Sequence, residues 1–132
     1  MFENLKNKTI IKVTGLEKYS KEIIMWTSDG YRYNMFHEQD CCESVTVEDI
    51  DGDTEDILNS QILLAEEVSN SLRNDEQFES ATWTFYKLAT IKGYMTIRWL
   101  GVSNGYYSES VTVTESKDLE ETRDVKIEMI TK

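Results

Sequence analysis

The clearest pattern in the chain is a set of short runs rich in β-branched and aromatic residues. Apolar and polar positions alternate within each run, and small turn residues separate one run from the next. Such runs predict β-strands, and a two-residue turn between two of them predicts a hairpin. The first hairpin joins residues 21–28 to residues 31–38 through Asp29-Gly30. A two-residue turn at this point pairs Trp26 with Tyr33. Both faces of this hairpin are apolar, so we expect both to be at least partly covered.

Three later runs predict an antiparallel meander from about residue 81 to about residue 114. Residues 81–91 join residues 94–102 through Lys92-Gly93, and that strand continues into residues 106–114 through Ser103-Asn104-Gly105. Asn-Gly is the strongest short hairpin signal that a sequence offers. The meander therefore carries most of the predicted sheet.

The remaining segments complete a β-rich domain. Strands are predicted at residues 7–15, at residues 42–50 and at residues 125–131 near the end of the chain, where the alternation is typical of an edge strand. Residues 61–72 fit either a helix or a buried strand, and the early end of their apolar run favours a strand. Asp53 can cap a short helix that follows it. We expect a single, mainly β domain over residues 1–132, a twisted antiparallel sheet curling toward a barrel or sandwich, with one or two short helices.

Composition narrows the classes of partner. The chain has 132 residues and a net charge of −11. This charge argues against general binding of nucleic acids or anionic membranes, which are held largely through neutralised phosphates. Binding of a small anion in a local pocket remains compatible with this net charge. No apolar run approaches the roughly 20 residues of a membrane span, and the first residues lack the apolar centre of a signal peptide. We therefore expect a cytoplasmic protein with reduced thiols and no structural disulfide.

The segment HEQDCCES, residues 37–44, contains the only histidine and both cysteines. His37, Asp40 and one cysteine could form a three-ligand metal site, and a thiolate beside His37 could act as a nucleophile. However, adjacent cysteines of an extended strand point to opposite faces. The simplest interpretation is a bend in which Cys41 or Cys42 is a small buried side chain. A fourth interpretation is a ligand-binding loop in which His37, Gln39 and Asp40 offer hydrogen bonds.

The predicted meander concentrates charge on an apolar face. With Lys92-Gly93 as the turn, Lys87 lies directly opposite Arg98, and Glu109 lies diagonal to Arg98 across the next turn. The same face carries Trp83, Phe85 and Tyr107. Charges on an apolar face are costly unless they are paired. The cluster is therefore either an internal ion-pair network or a receptor for phosphate or carboxylate, with aromatic rings for stacking.

Two stretches carry a resemblance to known proteins. HEQDCCE, and TIRW followed by SNGYYSESV, resemble an uncharacterised family of small proteins from bacteriophage genomes and prophages, over roughly residues 31–113. The resemblance implies a genomic context and no particular reaction. Within phages, small proteins of this kind often act on host defences, and one class sequesters the nucleotide messengers of immune systems. A role as such a sponge is an analogy of context.

Together these observations favour a phage-encoded binding protein without catalytic activity, cofactor or metal. It would capture a cyclic ADP-ribose-type signal or a cyclic dinucleotide and so inhibit the host's defence, in the cytoplasm of the infected bacterium. A homo-oligomer is compatible with this role. Seven residues form the expected ligand site: Arg98 and Lys87 for phosphate, Tyr107 for stacking unless a nearby aromatic takes that role, Glu109 beside the cations, and His37, Gln39 and Asp40 for hydrogen bonds.

Two alternatives belong to other classes. The acidic runs at residues 48–56 and 117–124 could present a surface that blocks a host enzyme, as a nucleic-acid mimic does. A metal-dependent hydrolase could use His37, Asp40 and a cysteine.

Overall fold

The computed structural model describes residues 1–74 and 79–118. The order of its elements is a 3-10 helix Phe2–Leu5, β1 Ile10–Thr14, β2 Glu22–Thr27, β3 Tyr31–Phe36, β4 Ser44–Asp51, α1 Thr54–Ile57, β5 Leu64–Asn74, β6 Glu79–Thr90, β7 Gly93–Ser103 and β8 Thr112–Lys117. The mainly β prediction is confirmed. Residues 125–131, predicted as an edge strand, lie outside the described residues. No described helix is long and apolar enough to cross a membrane.

The strands of the described residues form two antiparallel four-stranded sheets rather than a closed barrel. The first sheet has the order β1-β2-β3-β8 and the second has the order β4-β7-β6-β5. One buried cluster takes side chains from both sheets, so the sheets enclose a common core, as in a β-sandwich. The segments at residues 7–15, 42–50 and 61–72 each contribute a strand, β1, β4 and β5.

The core follows the two-residue period of the strands. In β7 the side chains of Met95, Ile97 and Trp99 are buried, whereas those between them face outward. Burying a large apolar side chain contributes about 1.5–3 kcal/mol each. The short helices close the core with three apolar residues, Phe2, Leu5 and Ile57.

The first hairpin has a different register from the predicted one. Met25 pairs with Tyr33, and Trp26 pairs with Arg32. The turn contains three residues, 28–30, instead of the expected two. The Tyr31 amide donates a hydrogen bond to the Thr27 hydroxyl (3.3 Å), which connects the two ends of this longer turn. A one-residue slip exchanges the faces. Met25 and Tyr33 are therefore in the core, whereas Trp26 is half-buried on the other face.

The second predicted hairpin forms, but the prediction that Lys92-Gly93 is its turn is wrong. Thr90 pairs with Gly93, so the turn consists of Ile91 and Lys92. Gly93 marks a close approach rather than the turn, because a Cβ atom there would lie 2.8 Å from the side chain of Asp56. Lys87 therefore lies opposite Thr96, and Arg98 lies opposite Phe85. The prediction that Lys87 directly opposes Arg98 is wrong, although both remain on one face.

The third predicted hairpin does not form. Asn104 and Gly105 do turn the chain, since Gly105 has a φ of 92° and the Tyr106 amide donates to Asn104 Oδ1 (2.9 Å). The chain then crosses to the other sheet, where β8 pairs with β3. The neighbours of β7 are β4 and β6. A local turn signal therefore correctly predicts a bend but not the strand that follows it.

Candidate functional site

Two crossings between the sheets lie side by side. Residues 37–43 lead from β3 to β4, and residues 104–111 lead from β7 to β8. We call them the first and second crossovers. Because β3 pairs with β8 and β4 pairs with β7, the two crossovers begin and end on neighbouring strands. HEQDCCES is thus a bend between strands, as its simplest interpretation predicted, and the sheet pairing brings it next to SNGYYSES.

The His37 ring joins the crossovers. Its Nδ1 atom is 2.7 Å from the Ser110 carbonyl oxygen, and its Nε2 atom is 2.7 Å from Glu43 Oε2. Both ring nitrogens therefore lie within hydrogen-bond distance of an oxygen atom of the protein. The side chains of His37 and Glu43 are 4% and 0% exposed. His37 therefore acts as a structural link, with neither ring nitrogen left for a ligand.

The Glu43 carboxylate organises the first crossover. Besides His37, it accepts hydrogen bonds from the backbone amides of Asp40 (2.9 Å) and Cys41 (2.8 Å) and from Gln39 Nε2 (3.1 Å). The hydrogen bond from His37 and those from the backbone lower the pKa of Glu43 to about 2, against the opposing effect of burial. Sequence reasoning missed this residue, since a glutamate beside two cysteines does not stand out.

Both cysteines depart from the expectation. Cys41 and Cys42 are exposed and are joined in a disulfide between adjacent residues, whereas a buried, reduced side chain was predicted. The backbone amides of Asp40 and Cys41 donate to the Glu43 carboxylate, so the chain bends at the two exposed cysteines. In the described part of the chain, no three histidine, cysteine or acidic residues form a group that could hold a metal ion. The proposed set of His37, Asp40 and a cysteine is therefore not assembled.

A polar cavity of about 360 Å³ lies between the crossovers. Its lining residues are His37, Glu38, Gln39, Asp40, Ser108, Ser110 and Thr112. Three predicted site residues, His37, Gln39 and Asp40, thus meet in one pocket. The serines and Thr112 were missed, because their proximity depends on a sheet pairing between residues far apart in sequence.

Glu109 fixes the second crossover and does not accompany Arg98. Its buried carboxylate accepts hydrogen bonds from the hydroxyls of Ser80 (3.2 Å), Thr82 (2.7 Å) and Ser103 (2.5 Å). The Glu109 backbone lies over Gly101, where a Cβ atom would come within 2.5 Å of the Glu109 carbonyl oxygen. The predicted position diagonal to Arg98 is therefore wrong, because residues 104–111 form no strand beside β7.

Arg98 and Lys87 project from the outer face of the second sheet. Arg98 Nη2 is 3.2 Å from Asp49 Oδ2, and its guanidinium lies 5.4 Å from the centre of the Trp83 ring. Trp83 stacks on Phe85, with ring centres 6.4 Å apart and planes at 23°. The predicted grouping of these four residues on one face is confirmed. Neither Arg98 nor Lys87 lines the polar cavity, so the seven predicted residues do not form one site.

Tyr107 joins neither group. It is half-buried on the second crossover and makes an edge-to-face contact with the exposed Tyr106, with ring centres 5.1 Å apart. Because residues 104–111 leave the sheet, Tyr107 does not continue the row of Trp83 and Phe85 on the outer face.

Comparison with known proteins identifies a family. No curated protein and no solved structure matches the chain. The profile of one family, described as a domain of unknown function, matches residues 3–113 and so includes both crossovers and the outer face of the second sheet. The chain therefore belongs to the family DUF7448, which is described as a domain of unknown function.

Proposed function

We propose that this protein is a non-enzymatic binding protein that captures a small anionic nucleotide on the outer face of its second sheet. The supporting observation is that Arg98 and Lys87 share this face with the stacked pair Trp83 and Phe85. Cations beside accessible aromatic rings match the two halves of a nucleotide, its phosphate and its base.

Arg98 has hydrogen-bonding capacity to spare. A guanidinium offers five N–H donors, and the Asp49 carboxylate forms an ion pair with it at Nη2. The Nε atom is buried and has no hydrogen-bond partner in the described part of the chain, so the donors open to a ligand are those of the two Nη atoms. The side chains of Arg98 and Asp49 are 42% and 53% exposed. Such an exposed ion pair is worth about 0–1 kcal/mol, so a phosphate can compete with Asp49 for the guanidinium.

Lys87 lies where it can act together with Arg98. It is exposed and makes no ion pair among the described residues. Thr96 is its direct partner on β7, and Arg98 is two residues further along that strand. Diagonal neighbours of this kind are about 7–8 Å apart. Two phosphates of one ligand, or one phosphate between the two cations, would fit this spacing.

Stacking would supply the second half of recognition. Trp83 and Phe85 are half-buried, so one part of each ring is packed on the sheet and the other part is accessible. A base on such a ring contributes about 1–3 kcal/mol. Trp83 and Phe85 thus take the stacking role that the sequence predicted for Tyr107.

The biological part of the proposal rests on the resemblance to phage and prophage proteins. In that context the captured nucleotide would be an immune messenger, either of the cyclic ADP-ribose type or a cyclic dinucleotide. Sequestration would lower its free concentration in the bacterial cytoplasm and so inhibit the defence, without any chemical change to the messenger.

Calorimetric titration tests this function. The ligands are ADP-ribose, its cyclic isomers and a set of cyclic dinucleotides, and we expect saturable heat for at least one of them with a micromolar or lower Kd. Arg98→Gln should weaken binding about 10-fold or more, because a charged hydrogen bond is lost. Lys21→Gln, which changes an exposed lysine outside this face, should leave the affinity unchanged. Absence of heat for every ligand at micromolar concentration would refute the proposal.

One observation supports the alternative of an acidic inhibitor. Asp49, Asp51, Asp53 and Glu55 are exposed within the run at residues 48–56. If this surface captures a host enzyme, reversing the charges of Asp51, Asp53 and Glu55 should abolish capture of a purified target, while Arg98→Gln should not. The opposite result would favour the nucleotide site.

A further inference from the structure

We infer that the cavity between the crossovers is a second binding site, one that takes a ligand bearing neighbouring hydroxyl groups, such as a sugar with a cis-diol. This goes beyond the nucleotide proposal, because the cavity contains neither Arg98 nor Lys87. Its volume of about 360 Å³ reaches the lower range of small-molecule pockets. The inference rests on which hydrogen-bonding groups of the lining are already used.

The donors on the first crossover are engaged within the protein. Both nitrogens of His37 bond to Ser110 and Glu43. The side-chain amide of Gln39 donates to the Cys41 carbonyl oxygen (3.1 Å) and to the carbonyl oxygen of Glu43 (2.8 Å). The backbone amides of Asp40 and Cys41 donate to the Glu43 carboxylate. The side chains of this wall therefore offer no free donor to a phosphate or carboxylate.

Acceptors remain available on the same wall. Glu38 and Asp40 are exposed, and their carboxylates make no hydrogen bond or ion pair among the described residues. The Gln39 side-chain oxygen is a further acceptor. A ligand in this cavity must therefore bring its own donors, and a carboxylate can accept hydrogen bonds from two adjacent hydroxyls at once.

The opposite wall carries hydroxyl groups that can donate as well as accept. Ser108 and Ser110 have their hydroxyl oxygens 2.8 Å apart, and Thr112 begins β8 beside them. A hydroxyl both donates and accepts, as the hydroxyls of a sugar do, whereas an ammonium group only donates. A polyhydroxylated ligand can thus satisfy the hydroxyls on one wall and the carboxylates on the other.

Both walls are held in place before any ligand arrives. Buried Glu43 fixes the first crossover, buried Glu109 fixes the second, and His37 ties them together. Because these groups hold the backbone of both walls, ordering on binding is confined to exposed side chains such as Glu38 and Asp40.

The probe for this site is methyl β-D-ribofuranoside, whose cis-diol lies at C2 and C3, titrated into the ¹⁵N-labelled full chain. We expect saturable NMR shifts at Gln39, Asp40 and Ser108, with a Kd in the millimolar range that suits so small a ligand. The 2-deoxy analogue should bind about 10-fold more weakly, because one donor is missing.

Two variants locate the binding. Asp40→Asn should weaken binding about 10-fold, while Asp53→Asn, a matched change at an exposed aspartate without a side-chain cap hydrogen bond, should not. Arg98→Gln should leave sugar binding intact, which separates this site from the proposed nucleotide face. Unchanged cavity signals with the riboside, equal affinity of the 2-deoxy analogue, or shifts with spermidine but none with the riboside would each overturn the inference.

Discussion

The buried carboxylate of Glu109 offers the sharpest test of how the second crossover is held. Glu109→Ala removes the common acceptor of Ser80, Thr82 and Ser103. The hydrogen bond from buried Thr82 to a charged group is worth about 1.5–3 kcal/mol, and the two half-buried serine bonds contribute about 0.5–1 kcal/mol each. The cost of burying the carboxylate offsets part of this sum. We therefore expect a loss of about 2–4 kcal/mol in the free energy of unfolding.

Urea denaturation at neutral pH measures this loss, and thermal unfolding should show Tm lower by about 10 °C. Glu17→Ala, which removes an exposed glutamate, should stay within about 0.5 kcal/mol of the parent. A double-mutant cycle with Thr82→Val should give a coupling of about 1–2 kcal/mol, because the two residues share one hydrogen bond. A change in the free energy of unfolding of less than about 0.5 kcal/mol for Glu109→Ala would refute this prediction, since the carboxylate would then not stabilise the second crossover.

Three further predictions concern acid, alkali and close packing. The pKa of Glu43 is lowered from 4.5 to about 2 in the folded protein, so its stabilising effect is complete above about pH 4.5 and is lost as the pH falls toward 2. Urea titrations should therefore show Glu43→Gln less stable than the parent at neutral pH, with a gap that closes in acid; a constant gap contradicts this. Burial, with the hydrogen bond to Glu115, raises the pKa of Tyr33 from 10.0 to about 12, so the stability linked to its proton is present below about pH 10 and is lost between about pH 10 and 12. Denaturation across that range should show a smaller alkaline loss for Tyr33→Phe than for the parent, and equal losses would argue against this role. Gly101→Ala places a Cβ atom 2.5 Å from the Glu109 carbonyl oxygen and should cost about 1–3 kcal/mol in urea denaturation; a neutral result would mean that the crossover yields without cost.

Most strands were predictable because their signal is local. Alternation in residues 94–102 correctly placed Arg98 on one face of the sheet, and the structure shows Ile97 and Trp99 buried on the other. The cluster of Arg98, Lys87, Trp83 and Phe85 was predictable for the same reason, since the two-residue error in the β6–β7 pairing preserves the face of every side chain. The one-residue error in the first hairpin exchanged the faces and misplaced Trp26.

The part of the candidate site at the crossovers was not predictable in full. The sequence shows a loop rich in hydrogen-bonding groups at His37, Gln39 and Asp40, and it shows serines near residue 108. Nothing local connects them. Asn104-Gly105 even favoured the wrong partner for the following strand, because a turn signal reports how the chain bends and not where the next strand pairs.

The sequence by itself determined that this protein is mainly β, where its first seven strands lie, and that Arg98, Lys87, Trp83 and Phe85 share one face. These features depend on a period of two residues and on turn residues within a few positions. Only the tertiary structure decided that β8 pairs with β3 rather than with β7. It also decided that the Glu109 carboxylate accepts hydrogen bonds from three hydroxyls and that the His37 ring contacts both crossovers. Those outcomes depend on pairing between distant strands, where the burial of a shared core outweighs the local preference for a hairpin.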